Sequence, residues 1–240
     1  MMWLTWRRYR ARVTALSVYV LALVVAMFIT EQQVQSTIAT CSHLAVAKAL
    51  GTACPMASSR LQGRDNLVVL GVILVPIFIG LFFGAPLIAG EIETKSNRLT
   101  WTQGITRTRW LLRSWLTLAI SAVVMMSALQ LVVQWWAHHV YGILIAGSGW
   151  SIPSGLTGYV PVAIGVFALT FGVALGALVR SVSMSVAGTF IGLLVVTTAI
   201  SVKVQGGLHP QPPWVAADIY LALSALLLGL SVWSLRRWRA

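Results

Sequence analysis

Six long apolar runs separated by polar stretches set the pattern of this chain. They cover approximately Val13–Ile29, Leu67–Ala89, Ser114–Ala137, Tyr159–Val179, Val182–Val202 and Ile219–Leu235. A helix needs roughly 20 apolar residues to cross a hydrocarbon core. Lipid offers backbone groups no outside partner, so a spanning segment must satisfy its own N–H and C=O groups as a helix. Each run therefore predicts a membrane-spanning helix. Only Arg180 and Ser181 separate the fourth run from the fifth, which demands a tight turn. The expected fold class is an all-α membrane protein of six transmembrane helices, forming one domain over residues 1–240. Its composition agrees: 58% of residues are hydrophobic and 9% charged, against about 25% charged in soluble domains.

The polar stretches refine this picture. Residues 1–12 read as an N-terminal interfacial helix. At about 100° per residue, Met2, Trp3, Trp6, Tyr9 and Val13 share one stripe, while Arg7, Arg8 and Arg12 point away from it. Rings at headgroup depth and Arg at phosphates are what a helix lying in the interface requires. The alternative is a basic anchor continuous with the first span. No small-x-small cleavage site follows Ile29 closely, so no cleaved leader is expected. Thr30 to Asn66 reads as an external loop holding Cys41 and Cys54, which either pair as a disulfide or remain two thiols. His138 to Gly158 reads as an interfacial loop with Trp150 as anchor. Lys203 to Asp218, with Pro210, Pro212 and Pro213, reads either as a turn-rich connection or as a re-entrant cap.

Within the spans, Gly80/Gly84, Gly172/Gly176 and Gly188/Gly192 stand at the four-residue spacing that lets helix backbones approach closely. All three read mainly as packing within one chain. Pro76, Pro86 and Pro161 should kink or end helices locally, and Gly84-Ala85-Pro86 should bend the chain as the second span leaves the membrane.

Charge fixes the expected orientation. With six spans, both termini share a side with the 90–113 loop and Arg180. Thirteen of the 17 Lys and Arg residues fall on that side; Lys48, Arg60, Arg64 and Lys203 fall on the other. The positive-inside rule makes the basic side cytoplasmic. The net charge of +12 then reflects topology and attraction to anionic lipid. Nucleic acid is not an expected partner, since no segment is large enough for a folded basic domain.

The chemistry is sparse. No formal charge lies in the six apolar cores; Gln130 and Gln134 are the strongest polar groups there, four apart on the third span. They either line a substrate path or bond a neighbouring helix. Ion-coupled carriers usually hold their ion with an intramembrane carboxylate or His, so a secondary transporter and a proton pump are disfavoured. His138-His139 lacks the spacing and acidic neighbours of a helical metal site, and no metal site is expected. The five acids are Glu31, Asp65, Glu91, Glu93 and Asp218. No GxxxxGK[ST] loop is present, so no catalytic residues or cofactors are expected in this chain. If ATP powers it, another polypeptide must bind the ATP and Mg.

One polar stretch, Gly84 to Trp115, combines acids with dense Arg. Glu91 and Glu93 are expected to open a short helix after Gly90, where carboxylates suit the N-terminal dipole. Thr100 to Gly104 should break it, and Thr106-Arg107-Thr108-Arg109-Trp110 should restart a helix into the third span. By itself this reads equally as a docking surface or as a solvated loop. Gly84, Pro86, Leu87, Ala89, Glu91, Glu93, Leu99, Trp101, Thr102, Gln103, Thr106, Arg107, Arg109 and Trp110 fall in the order of a recurrent pattern. That segment resembles the loop after the second span of type-2 ABC transporter permeases, notably small six-span actinobacterial subunits. Lys95-Ser96 departs from the Gly-Thr usual there.

The resemblance implies a pore of two permeases, served by two cytoplasmic ATPase subunits. It also implies a cytoplasmic coupling helix between spans 2 and 3, with Glu91, Glu93, Trp101, Thr102, Gln103, Arg107 and Arg109 in the coupling region. An exporter of an amphiphilic compound, such as a drug, secondary metabolite or lipid, is the leading expectation, located in the cell membrane among its lipids. A non-transporting scaffold, sensor or immunity subunit is the alternative. For topology, cysteines introduced at Ser96 and Ser234 should resist a membrane-impermeant thiol reagent in intact cells, while one at Ser58 should react. Labelling at Ser96 from outside would reverse the orientation.

Overall fold

The computed structural model describes residues 2–41, 55–93, 107–144, 158–179, 181–205 and 212–237. Helices account for nearly all of them: α1 (Met2–Cys41), α2 (Pro55–Ile79), a π-helical turn (Gly80–Gly84), α3 (Ala85–Glu93), α4 (Arg107–Leu144), α5 (Val160–Val179), α6 (Val182–Gln205) and α7 (Pro213–Arg237). Among the described residues, six stretches are long and apolar enough to cross a membrane; the second runs through α2, the π-helical turn and α3. The chain divides into two compact units, one of residues 1–75 and 128–157, the other of residues 76–127 and 158–240.

In the first unit, helices run past the apolar stretches that predicted them. α1 has 40 residues, about 60 Å at 1.5 Å per residue, roughly twice a hydrocarbon core. Residues 2–12 belong to this same helix and do not form the separate element expected. The predicted external loop from Thr30 to Asn66 is also shortened from both sides, since α1 continues to Cys41 and α2 begins at Pro55. Gln32, Gln33, Gln35 and Ser36 give no reason to stop, because Gln is a good helix former and water replaces lipid as solvent there. Polar contacts join these helices. Tyr19 Oη donates to Gly71 O at 2.9 Å. Trp136 Nε1 donates to Thr30 Oγ1 at 3.2 Å, and that hydroxyl donates to Met27 O at 2.8 Å. The Phe28 and Trp135 rings lie 5.0 Å apart.

The second unit is built on α5. Thirteen of its 20 residues are buried, from Val160 to Ala177, and the π-helical turn, α3, α6 and α7 all pack on it. Gly158, at φ 59°, turns the chain into this helix through a conformation that favours glycine. Pro161 follows in the first turn, where a missing N–H is harmless; it helps start the helix. α5 ends at Val179 and α6 begins at Val182, so two residues separate them.

Gly80 and Gly84 meet Gly172 and Gly176 across this core. A Cβ on Gly80 would lie 2.7 Å from Ala168 O, and one on Gly84 would lie 2.5 Å from Leu169 O. From the other side, a Cβ on Gly172 would lie 2.5 Å from Gly80 O, and one on Gly176 would lie 2.6 Å from Ala85 O. The two glycine pairs thus face each other, backbone against backbone, within one chain. Gly192 instead makes room for the Phe171 ring, and Gly188 only touches Leu175.

Pro86 does not end the second span. It is the second residue of α3, and Leu87, Ile88 and Ala89 after it are buried. The 138–158 and 203–218 connections are likewise shorter than expected, since α4 runs to Leu144, α6 to Gln205, and α7 starts at Pro213. Gly172→Ala should destabilise the protein by about 1–3 kcal/mol, the usual cost of overpacking. Gly229→Ala, with nothing within 4 Å of the added carbon, should be neutral or stabilising by up to about 1 kcal/mol. Unfolding midpoints in detergent check this, and equal midpoints would contradict the crossing.

Candidate functional site

The segment joining the second and third spans is positioned by α3 on one side and by the start of α4, residues 107–127, on the other, and both of these stretches belong to the second unit. On the upstream side, α3 carries the chain from the glycine crossing through Gly90 to Glu93 without a break. This corrects one expectation. Gly90 does not interrupt the helix, so Glu91 and Glu93 do not open a new one; they occupy the last described turn of α3. The physical reason is packing: Leu87, Ile88 and Ala89 are buried immediately before Gly90, and burial of a helical face outweighs the roughly 1 kcal/mol propensity cost of one glycine. The turn holding Glu91 and Glu93 is at the end of α3 away from its N-terminus, contrary to the helix-opening position first expected.

Downstream, α4 begins at Arg107, where the sequence placed the restart. Arg109, Leu112 and Arg113 are exposed, while Leu111 is fully buried. One turn later Trp115 Nε1 donates to Thr170 Oγ1 at 3.2 Å, and Thr170 Oγ1 donates to Val166 O at 2.8 Å. Thr170 has no exposed surface. The bond therefore ties the entry of the third span to the buried centre of α5. Trp115 had been given no role from the sequence, although it closes the Gly84–Trp115 segment. An indole donor at a span entrance was the available signal, but its partner 55 residues away was not legible. Trp101, Thr102 and Gln103 lie outside the described residues, as does the break expected at 100–104.

The other sequence candidates separate in space. Gln130 is buried, whereas Gln134, one turn further along, is exposed. The pair therefore does not present a continuous polar strip to one environment. His138 and His139 are both exposed, and His139 Nδ1 lies 2.9 Å from Trp135 O. Cys41 is the last residue of α1, and Cys54 lies outside the described residues.

The buried hydroxyls are already committed. Thr189 donates to Ser185 O at 2.6 Å, Ser224 to Tyr220 O at 2.7 Å and Ser231 to Leu227 O at 2.8 Å. These are bonds to the preceding turn of the same helix, which consume a hydroxyl proton locally. What the arrangement offers is mechanical: two helices rooted on α5 hold the ends of one basic and acidic segment. Trp115→Phe should cost about 0.5–1.5 kcal/mol, the net worth of one hydrogen bond. A double-mutant cycle with Thr170→Val should assign that cost to the pair, and zero coupling would show that no bond forms.

A family model described as ABC-2 membrane transporter related matches residues 14–205. No curated protein and no solved structure matched.

Proposed function

The chain belongs to the ABC-2 membrane transporter related family and is a permease component of an ABC transporter; from this we propose that it serves an ATP-driven exporter of an amphiphilic small molecule. A drug, a secondary metabolite or a lipid fits that description. Membership implies association with an ABC ATPase. In the proposed assembly a pair of these subunits docks from the cytoplasm and supplies the ATP, the Mg and the hydrolysis. Two permeases, identical or paralogous, enclose the path in the plasma membrane, with both termini cytoplasmic.

The observation that carries the reading is the rooting of the 90–113 segment. Its upstream helix is continuous with the glycine crossing, and its downstream helix is bonded through Trp115 to Thr170. Force applied to such a segment reaches the buried centre of the second unit through helices. A solvated loop would dissipate it. The apolar composition of the spans suits an amphiphile better than an ion or a sugar, because hydrocarbon surfaces cannot replace lost hydration of a charged or polyhydroxy cargo.

In this reading Glu91, Glu93, Trp101, Thr102, Gln103, Arg107 and Arg109 form the coupling region. Gln130 and Gln134 are the weaker candidates for contacts along the path. An acid in the last described turn of a helix does not gain from the dipole there, so Glu91→Ala should insert and express normally. It should retain ATPase association and lose most cargo-stimulated ATP turnover and export. Full export by Glu91→Ala, or no ATP-binding subunit co-purifying with the unmodified permease, would contradict the assignment.

A further inference from the structure

The start of the third span carries a surface that the transport reading leaves aside. At about 100° per residue, Arg109, Arg113, Leu116, Ile120 and Val124 of α4 share one stripe about 80° wide. All of them are exposed. The opposite side of the helix is fixed, because Leu111 is fully buried and Trp115 is bonded to Thr170. The backbone that carries the stripe is therefore held in place. Thr117 and Ser121 are also exposed, but their hydroxyls donate to Arg113 O at 2.9 Å and to Thr117 O at 3.0 Å. Below the two arginines the stripe thus presents hydrocarbon.

Depth in the bilayer follows from the neighbours. Trp110 and Trp115 bracket Arg113, and tryptophan collects at the membrane–water interface. From Arg113 to Val124 the helix rises about 16 Å, close to half of a roughly 30 Å hydrocarbon core. The arginines thus stand at headgroup level, above apolar surface as deep as one leaflet. Two guanidiniums one turn apart match a phosphate, whose oxygens take paired N–H donors from Arg. Among the described side chains of the second unit, the remaining cation is Lys203 in the last turn of α6. No other described surface of that unit therefore combines paired cations with an exposed apolar strip.

We propose that this face of α4 binds one anionic phospholipid, with its phosphate between Arg109 and Arg113 and an acyl chain along Leu116, Ile120 and Val124. Charge selects the occupant. A zwitterionic headgroup brings its own cation beside the phosphate and gains little from two guanidiniums, whereas an anionic one brings net negative charge. Because α4 leads out of the 90–113 segment, the lipid pins the downstream end of that segment to the bilayer surface. Arg109 then serves the coupling region through the lipid rather than by touching the ATPase. The lipid site itself rests on the placement of these residues and not on the transport reading.

Native mass measurement of the detergent-purified full-length permease, titrated with phosphatidylglycerol or with phosphatidylcholine, tests this. The unmodified chain should take up its first phosphatidylglycerol more tightly than its first phosphatidylcholine; equal affinity would overturn the proposal. Arg109→Gln/Arg113→Gln should weaken that first phosphatidylglycerol about fivefold for each guanidinium removed. Arg10→Gln/Lys203→Gln, which removes two exposed cations elsewhere, should leave it unchanged. Unchanged affinity in the Arg109/Arg113 variant would show that no site is there, and equal loss in both variants would reduce the effect to diffuse surface charge; either overturns the proposal. Unchanged lipid affinity with loss of the co-purifying ATPase would assign the arginine pair to the ATPase instead. Should the double variant fail to reach the membrane, Arg113→Gln alone decides: about fivefold weaker binding supports the site, and unchanged binding overturns it. Because the measurement uses the permease alone, absence of ATP-driven export in the assembled complex would sink the transport reading and leave the lipid site standing.

Discussion

Everything in this protein follows from the absence of water in the bilayer core. A backbone polar group there must be bonded inside its own helix, and helices gain no hydrophobic drive for meeting one another when lipid tails are equally apolar. Close approach has to supply the attraction instead. The Gly80/Gly84 and Gly172/Gly176 crossing meets that demand, because only residues without a Cβ allow the carbonyls of Ala168, Leu169, Gly80 and Ala85 to come so near the opposite chain. The fourth span is accordingly the most buried, at 61% of its apolar window, and the second follows at 56%. The fifth buries 17%, which leaves Met184, Ile191 and Val195 on its outer surface.

Burial and function are connected through this gradient. The span that leads into the 90–113 segment is the one that shares backbone contact with α5, and the third span returns to α5 through Trp115 and Thr170. Thr189, Ser224 and Ser231 bond to their own helices, while Ser185 donates to Leu175 O across to α5 and Trp115 bonds Thr170, so the strength of the second unit comes from shape at the crossing and from a few cross-helix bonds. Phe167 and Tyr220, with ring centroids 5.4 Å apart, extend the same packing to α7. An arrangement held by shape can shift between discrete positions without exposing unsatisfied polar groups, which suits the proposed transport role.

The existence of six spans was legible because crossing a bilayer depends on length and apolarity, both of which can be counted. The ends were not, because a helix need not stop where its apolar run stops: α1 proceeds through Gln32, Gln33 and Gln35 to Cys41. The glycine pairs announced close approach but not their partners, and a four-residue spacing cannot reveal that one pair faces another 92 residues away. Glu91 was misplaced for a similar reason. Gly90 looks like a helix breaker in isolation, but burial of the preceding turn carries the helix through it. The π-helical turn left a faint trace in the sequence, two prolines bracketing Gly80 and Gly84, of which Pro76 was read as a local kink and Gly84-Ala85-Pro86 as a bend at the membrane exit. Of the residues proposed for coupling, Glu91, Glu93, Arg107 and Arg109 fall on the helices that bracket the segment, while Trp101, Thr102 and Gln103 lie outside the described residues.

The central claim is that the 90–113 segment is the place where an ATP-binding subunit grips this permease. A photo-cross-linking amino acid at Trp101, activated in the assembled complex in its native membrane, tests this directly. The account predicts a covalent adduct to the ATP-binding subunit that changes in yield when nucleotide is bound. Adducts confined to lipid or to the permease itself, in a complex that still contains the ATPase, would contradict it.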